Sequence, residues 1–130
     1  MVTTAADLKR VLEEAEAALA ARPLSARRRQ ALRLALDELL SNILRHAHAD
    51  GGAHPVAVRL DLDEPMQLEI EDDGKPFDPA RDAPPPVLTG PVEERPVGGL
   101  GLHLLRSLGV TLAHRRANGR NIVRVGFPPD

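Results

Sequence analysis

Residues 36–47 read Leu36-Asp37-Glu38-Leu39-Leu40-Ser41-Asn42-Ile43-Leu44-Arg45-His46-Ala47, and this stretch decides how the rest of the chain is interpreted. Helical spacing places a set of apolar residues on one face, which predicts a buried stripe made of Leu32, Leu36, Leu39, Ile43 and Ala47. Glu38, Asn42 and His46 recur every fourth residue along one flank of that stripe, so they stack along the helix. A carboxylate, an amide and an imidazole in one column are oxygen and nitrogen ligands. The alternative is an ordinary polar helix edge.

Two helices are predicted in the first half of the chain. The first covers residues 4–22, where apolar residues recur at helical spacing, and Pro23 ends it. Ser25 is placed to cap a second helix that runs to about Ala49, before the glycines at 51 and 52.

The periodicity then changes to two, which predicts strands. Alternating apolar residues at 56–62 and 66–70 form two half-buried strands joined by a turn at 63–65. A short helix from about Leu100 to Leu108 precedes a final hairpin across Asn118-Gly119. This order predicts one α+β domain over residues 1–130. We expect a two-layer sandwich with helices on one face of a mixed, mostly antiparallel sheet.

Composition excludes several classes of function. The 130 residues carry a net charge of −2, which argues against a general nucleic-acid binder. There is no cysteine, so thiolate metal sites and thiol nucleophiles are excluded, and two phenylalanines are the only aromatic residues. The absence of a long apolar run predicts no membrane span, and the absence of a signal-peptide pattern predicts a cytoplasmic location.

Two further groups of residues depart from the patterns around them. Asp72 is in phase with the inward face of its strand, and an inward carboxylate needs polar partners. A plain turn at Asp72-Asp73-Gly74 is the alternative. Gly98-Gly99-Leu100-Gly101 leads directly into a helix, whose free backbone N–H groups suit a phosphate; a flexible hinge is the alternative. The prolines and glycines of residues 74–98 predict a long loop between the two groups.

These residues resemble the motifs of the GHKL, or Bergerat-fold, ATP-binding superfamily, and within it the anti-sigma-factor serine kinases. The likeness covers about residues 25–127. The matching stretches are Leu36–Ala47 for the N box, Ile70–Pro79 for the first glycine box, Arg95–Arg106 for the second and Gly119–Ile122 for the final one.

The resemblance implies a role for each matching residue. Glu38 is implied as the catalytic general base, and Asn42 as the ligand of a Mg²⁺ ion that bridges the phosphates of ATP. Asp72 is implied to accept a hydrogen bond from the adenine amino group, beside Gly74 in the closing turn. The backbone of Gly98, Gly99, Leu100 and Gly101 is implied to bind the phosphates. Residues 78–97 are implied to form the lid.

The sequence departs from this family pattern in three places. Pro76 occupies the position of the second glycine of the first glycine box, as it often does in close relatives of the serine-kinase branch that the motifs resemble. The final box lacks its Gly-Thr pair, and Asn121 is a candidate replacement. The strand that precedes the first helix in relatives, and takes part in their dimers, is at most short here, so the sequence leaves a homodimer open. Outside the motifs, Arg27-Arg28-Arg29 is interpreted as a solvated helix turn.

The resemblance implies an ATP-dependent serine protein kinase of the partner-switching type. Its partner would be an antagonist protein that carries the target serine, with a sigma factor as a second candidate partner. One alternative is a non-catalytic module that binds ATP and sequesters a regulator. Another is a detached histidine-kinase catalytic domain, which is disfavoured because the chain offers no helix pair carrying a substrate histidine.

Overall fold

A computed structural model describes residues 5–43, 55–79 and 100–129. In these ranges the chain forms three helices and four strands. They are α1 (Ala5–Ala20), α2 (Ala26–Asn42), β1 (Val56–Asp61), β2 (Gln67–Asp72), α3 (Leu100–Ser107), β3 (Thr111–Ala117) and β4 (Arg120–Gly126). No helix within these ranges is long and apolar enough to cross a membrane.

The four strands form one sheet in the order β1-β2-β4-β3, and every neighbouring pair is antiparallel. The two hairpins, β1–β2 and β3–β4, therefore meet at the central pair β2–β4. Helix α2 packs between α1 and α3, and its leucines share one core with the inner face of the sheet. The predicted α+β architecture is confirmed.

The residues that face each other across the strands change from apolar to polar toward one end of the inner face. Two rows of the inner face are largely apolar: Leu60-Leu68-Val125-Leu112 and Val58-Ile70-Val123-His114. The next row reads Val56-Asp72-Asn121-Arg116, so the inner face becomes polar within one step of the register. Asp72 does continue the inward phase, as its spacing predicts.

Local sequence sets the start of α2 as expected. Ser25 has extended backbone angles, and its Oγ accepts a hydrogen bond from the backbone N–H of Arg28 at 3.1 Å. Because the first N–H groups of a helix have no partner within it, this bond caps the helix. The structure describes α2 as far as Asn42, followed by Ile43, so the predicted extension to Ala49 lies outside the described residues.

The second hairpin turns at the two residues predicted for it. Asn118 has φ of 53° and Gly119 has φ of 73°. Positive φ at both central residues is typical of the two-residue turn that matches the twist of a hairpin.

The interpretation of Arg27-Arg28-Arg29 as a solvated turn is wrong for Arg28. Only 6% of Arg28 is exposed. Its guanidinium donates to the carbonyl oxygen of Pro128 from Nη2 at 3.0 Å and from Nε at 3.3 Å, and pairs with Glu64. A run of like charges therefore contains one residue that ties α2 to the β1–β2 turn and to the segment after β4.

Candidate functional site

A narrow cavity lies between α2 and the polar end of the sheet. Its volume is about 10 Å³, room for about one water molecule, and its walls carry two of the polar residues predicted for the site, Asn42 and Asp72. The remaining walls are apolar and consist of Leu39, Ile43, Ile70, Phe77, Pro79 and Val123. Apolar walls that carry a few polar groups are the kind of lining that small-molecule sites have.

Asp72 is held at the end of β2 by its neighbours. It is 3% exposed, and its Oδ2 accepts a hydrogen bond from the backbone N–H of Gly74 at 2.9 Å. The Nδ2 of Asn121 lies 3.4 Å from the same oxygen. The turn predicted at residues 72–74 is therefore present, and its carboxylate also lines the cavity. The turn and the site are compatible interpretations of the same three residues.

Asn121 organises the backbone that follows Asp72. It is 1% exposed and lies directly opposite Asp72 on β4. Its Nδ2 donates to the carbonyl oxygens of Lys75 at 2.9 Å and Gly74 at 3.4 Å, and its Oδ1 accepts from the N–H of Phe77 at 3.1 Å. One amide side chain thus fixes residues 74–77, of which Phe77 forms a wall of the cavity.

Two residues of β3 support this arrangement and were not predicted. His114 Nε2 lies 3.0 Å from Asn121 Oδ1, and Arg116 Nη1 donates to the carbonyl oxygen of Gly74 at 2.7 Å. Both residues lie in the inward phase of β3. Their even spacing was a signal in the sequence, but only the register shows that they reach Asn121 and Gly74.

Glu38 and Asn42 occupy consecutive turns of α2. Asn42 is 1% exposed, whereas Glu38 is half-buried. Glu38 meets the first turn of α3 at Gly101, where a Cβ atom would lie 2.6 Å from the Glu38 Cδ. The absence of a side chain at Gly101 therefore allows the carboxylate and α3 to approach each other. The structure brings these predicted residues from α2 and α3 together.

Several predicted site residues fall outside the described ranges. Gly98 and Gly99, His46, and the lid apart from its first two residues belong to this group. Leu100 is described as the first residue of α3. The roles predicted for these residues, with phosphate binding by the backbone of Leu100, stay predictions.

The residues present fit a magnesium ion held mainly by a bound phosphate. Asn42 offers a buried amide that carries one hard oxygen ligand. No group of three histidine or acidic side chains in the described ranges is arranged to hold a metal by itself. Mg²⁺ commonly takes one or two protein oxygens and completes its shell with phosphate and water.

A larger open groove runs between α1 and α2, with a volume of about 550 Å³. It is lined by side chains such as Glu16 and Arg33, which pair with each other at 2.6 Å. None of the predicted site residues line it. The smaller cavity at Asp72 is therefore the candidate site.

Comparison with known proteins defines the class to which this fold and cavity belong. The family model described as "Histidine kinase-like ATPase domain" matches residues 1–127, so the chain belongs to that family, which has the GHKL-type fold. The expected superfamily is confirmed.

One relative is similar over most of this length. The chain is 38% identical over 100 residues to the serine/threonine-protein kinase BtrW of Bordetella bronchiseptica, covering 75% of this chain and 68% of that protein.

Solved structures with a similar fold include a blue-light activated histidine kinase of Erythrobacter litoralis EL346. The match has a TM-score of 0.54 and 26% identity, and covers 75% of this chain but 29% of that one. The histidine kinase domain of the same protein matches with a TM-score of 0.55 at 22% identity, covering 95% of this chain and 59% of that one. The chain thus spans less than two thirds of either solved structure.

Proposed function

We propose that this chain is an ATP-binding serine protein kinase that transfers the γ-phosphoryl group of ATP to a serine of an antagonist protein in partner-switching regulation. The observation that carries the proposal is the convergence of Asn42 and Asp72 on one buried cavity, with Glu38 one helical turn from Asn42. The similarity to a serine/threonine kinase supports this activity over the other functions of the family.

The walls of the cavity carry the two kinds of group that would contact an adenine ring once they move apart to admit it. Apolar side chains such as Ile70 and Val123 can pack against its faces, and the Asp72 carboxylate can accept a hydrogen bond from its amino group. Because Asp72 is buried, this bond would be shielded from water, and the carboxylate would contact the edge of the base directly.

The proposed transfer uses Glu38 as the general base. The carboxylate takes the proton of the serine hydroxyl, the serine oxygen bonds to the γ-phosphorus, and the bond from that phosphorus to the β–γ bridging oxygen breaks to leave ADP. Asn42 would hold Mg²⁺, which neutralises phosphate charge when bound. The main contribution of the protein is to fix the two reactants in position.

A pair of neighbouring carboxylates tests the base assignment. Glu38 faces α3, whereas Asp37 is exposed on the other side of α2. We expect Glu38→Ala to reduce serine phosphorylation at least about a hundredfold with ATP binding retained, and Asp37→Ala to leave both unchanged. The measurement is ³²P transfer from γ-labelled ATP to a fractionated protein pool, with phosphoamino-acid analysis, beside calorimetric titration of ATP.

Three results would contradict parts of the proposal. Equal labelling by wild type and Glu38→Ala would remove Glu38 as the base. A wild-type protein that binds ATP and labels no serine would be the non-catalytic, partner-sequestering module. Label on histidine instead of serine would indicate the chemistry of a histidine kinase.

A further inference from the structure

We propose that Asn121, oriented by His114, is a positioning residue that gives the cavity its preference for adenine over guanine. The inference rests on the proposed binding of ATP and adds the determinant of base specificity. It starts from the row Asp72-Asn121-Arg116, which crosses three strands at the end of the inner face.

The orientation of the Asn121 amide follows from its backbone partners. Its Nδ2 faces the carbonyl oxygen of Lys75, and its Oδ1 faces the N–H of Phe77. A carbonyl can only accept and an N–H can only donate, so the opposite orientation would break both bonds. The amide therefore presents a donor to the Oδ2 of Asp72.

The role of His114 follows from the same orientation. Asn121 Oδ1 carries no hydrogen, so His114 Nε2, 3.0 Å away, must carry one and donate it. This contact fixes the tautomer of His114 when its ring is neutral. Since Oδ1 then accepts two hydrogen bonds, from Phe77 N–H and from His114, the amide is held against rotation.

These contacts control where the Asp72 carboxylate lies. Its Oδ2 accepts from the N–H of Gly74 and from Asn121, which fixes the position of that oxygen at the cavity wall. Adenine offers an amino donor at its six-position, whereas guanine offers an acceptor there and carries its donors at positions 1 and 2. A carboxylate that cannot shift therefore favours adenine.

Loss of Asn121 removes this constraint in a specific way. Without it, the Oδ2 of Asp72 keeps the Gly74 N–H but loses the Asn121 donor, and the turn at residues 74–77 loses three hydrogen bonds. Contacts with the sugar and phosphates are common to ATP and GTP and lie elsewhere. We therefore expect Asn121→Ala to weaken ATP binding about tenfold, which is the effect of one well-placed hydrogen bond, and to change GTP binding less.

Calorimetric titration of the full chain with ATP and with GTP, both with Mg²⁺, tests the inference. The ratio of the two affinities should fall about tenfold in Asn121→Ala and partly in His114→Leu. It should be kept in His114→Gln, whose amide N–H can replace the imidazole donor, and in the control Arg124→Ala. Arg124 is an exposed residue of β4, the strand that carries Asn121, and it pairs with Glu69.

The outcomes separate this inference from the proposed function. Equal weakening of ATP and GTP by Asn121→Ala would overturn it, because a purely structural role predicts no change in the ratio. If Asn121→Ala fails to fold, the two His114 variants test the inference instead. The same ratio of ATP to GTP affinity in His114→Leu and His114→Gln would overturn the role of His114. Wild-type protein that binds neither nucleotide would overturn the proposed function and, with it, this inference.

Discussion

Individual side chains set which hydrogen-bond donors and acceptors the cavity would present to a ligand. Asp72 shows this most directly, since two donors, Gly74 N–H and Asn121 Nδ2, already point at one of its oxygens. A carboxylate accepts at both oxygens, so the second can accept from a ligand as well. An amide of the same shape has one acceptor and one donor.

This difference predicts the effect of Asp72→Asn. The amide oxygen would take the position facing Gly74 and Asn121, which leaves the NH₂ group facing the adenine amino group. We expect ATP affinity to fall at least about tenfold because two donors then oppose each other. Calorimetric titration measures it, with Asp73→Asn, an exposed neighbour, as the control. Unchanged ATP binding would mean that the base does not contact Asp72.

Gly101 sets the space for Glu38. A Cβ at this position would lie 2.6 Å from Glu38 Cδ and 3.0 Å from its Cγ, so Gly101→Ala must displace the carboxylate or the helix. We expect the substitution to lower the free energy of unfolding by about 1–3 kcal/mol and to reduce phosphotransfer. Glu38→Asp removes one methylene, so the double variant should recover the stability lost in Gly101→Ala.

Thermal and denaturant unfolding of the four proteins of this cycle give the measurement. Additive effects of Gly101→Ala and Glu38→Asp would contradict the contact, because residues that collide must show an interaction energy. Ser107→Ala, near the exposed end of the same helix, reports the effect of an unrelated change in α3.

Among the secondary-structure elements, α2 carries the most information because it supplies both the core stripe and the polar column. Its start depends on Ser25, whose Oγ caps the N–H of Arg28. We expect Ser25→Ala to destabilise the protein by about 1 kcal/mol, and Ser25→Asp, which keeps an acceptor oxygen, to retain most of the stability. Denaturant unfolding followed by circular dichroism checks both. Equal losses in the two variants would show that the cap contributes nothing.

The bounds of the elements were predictable where local chemistry sets them. Ser25 and Asn118-Gly119 mark a helix start and a hairpin turn by their own backbone preferences, and both were correct, whereas α1 ends at Ala20, two residues before the limit predicted from Pro23. The inward position of Asp72 followed from a period of two. What could not be predicted is the pairing of β2 with β4, because strand order is a property of the whole chain.

That unpredicted pairing explains which site residues were missed. Asn121 was a candidate replacement for the family's final box, but its partners at residues 74–77 became visible only with the register. The contributions of His114 and Arg116 likewise depend on the contact of β3 with β4. The predicted contacts of Gly98 and Gly99 with phosphate stay predictions, since these residues lie outside the described ranges.

At the scale of the whole molecule, Arg28 connects three segments that are far apart in the chain. This buried guanidinium contacts the carbonyl oxygen of Pro128 and the carboxylate of Glu64, which belong to segments distant in sequence. A run of three arginines gave no sign that one was buried, because burial here depends on where the chain end and the β1–β2 turn lie.

Replacement of Arg28 should therefore cost more than replacement of its neighbour. We expect Arg28→Met to reduce the free energy of unfolding by about 2 kcal/mol, since the half-buried carbonyl oxygen of Pro128 loses its charged donor while Glu64 is already largely in water. Arg27→Met, at an exposed position, should cost under about 0.5 kcal/mol. Equal midpoints of denaturant unfolding for the two variants would contradict the structural role of Arg28.

The sheet order has a consequence for how the cavity comes into being. Each hairpin closes locally, but Asp72 and Asn121 face each other across the seam between hairpins and are 49 positions apart in the chain. Long-range pairing costs more chain entropy and forms more slowly than a hairpin. The polar wall of the pocket is thus assembled only when the two halves of the polypeptide dock, so a nucleotide that binds there selects chains that have completed this step and holds them in that state.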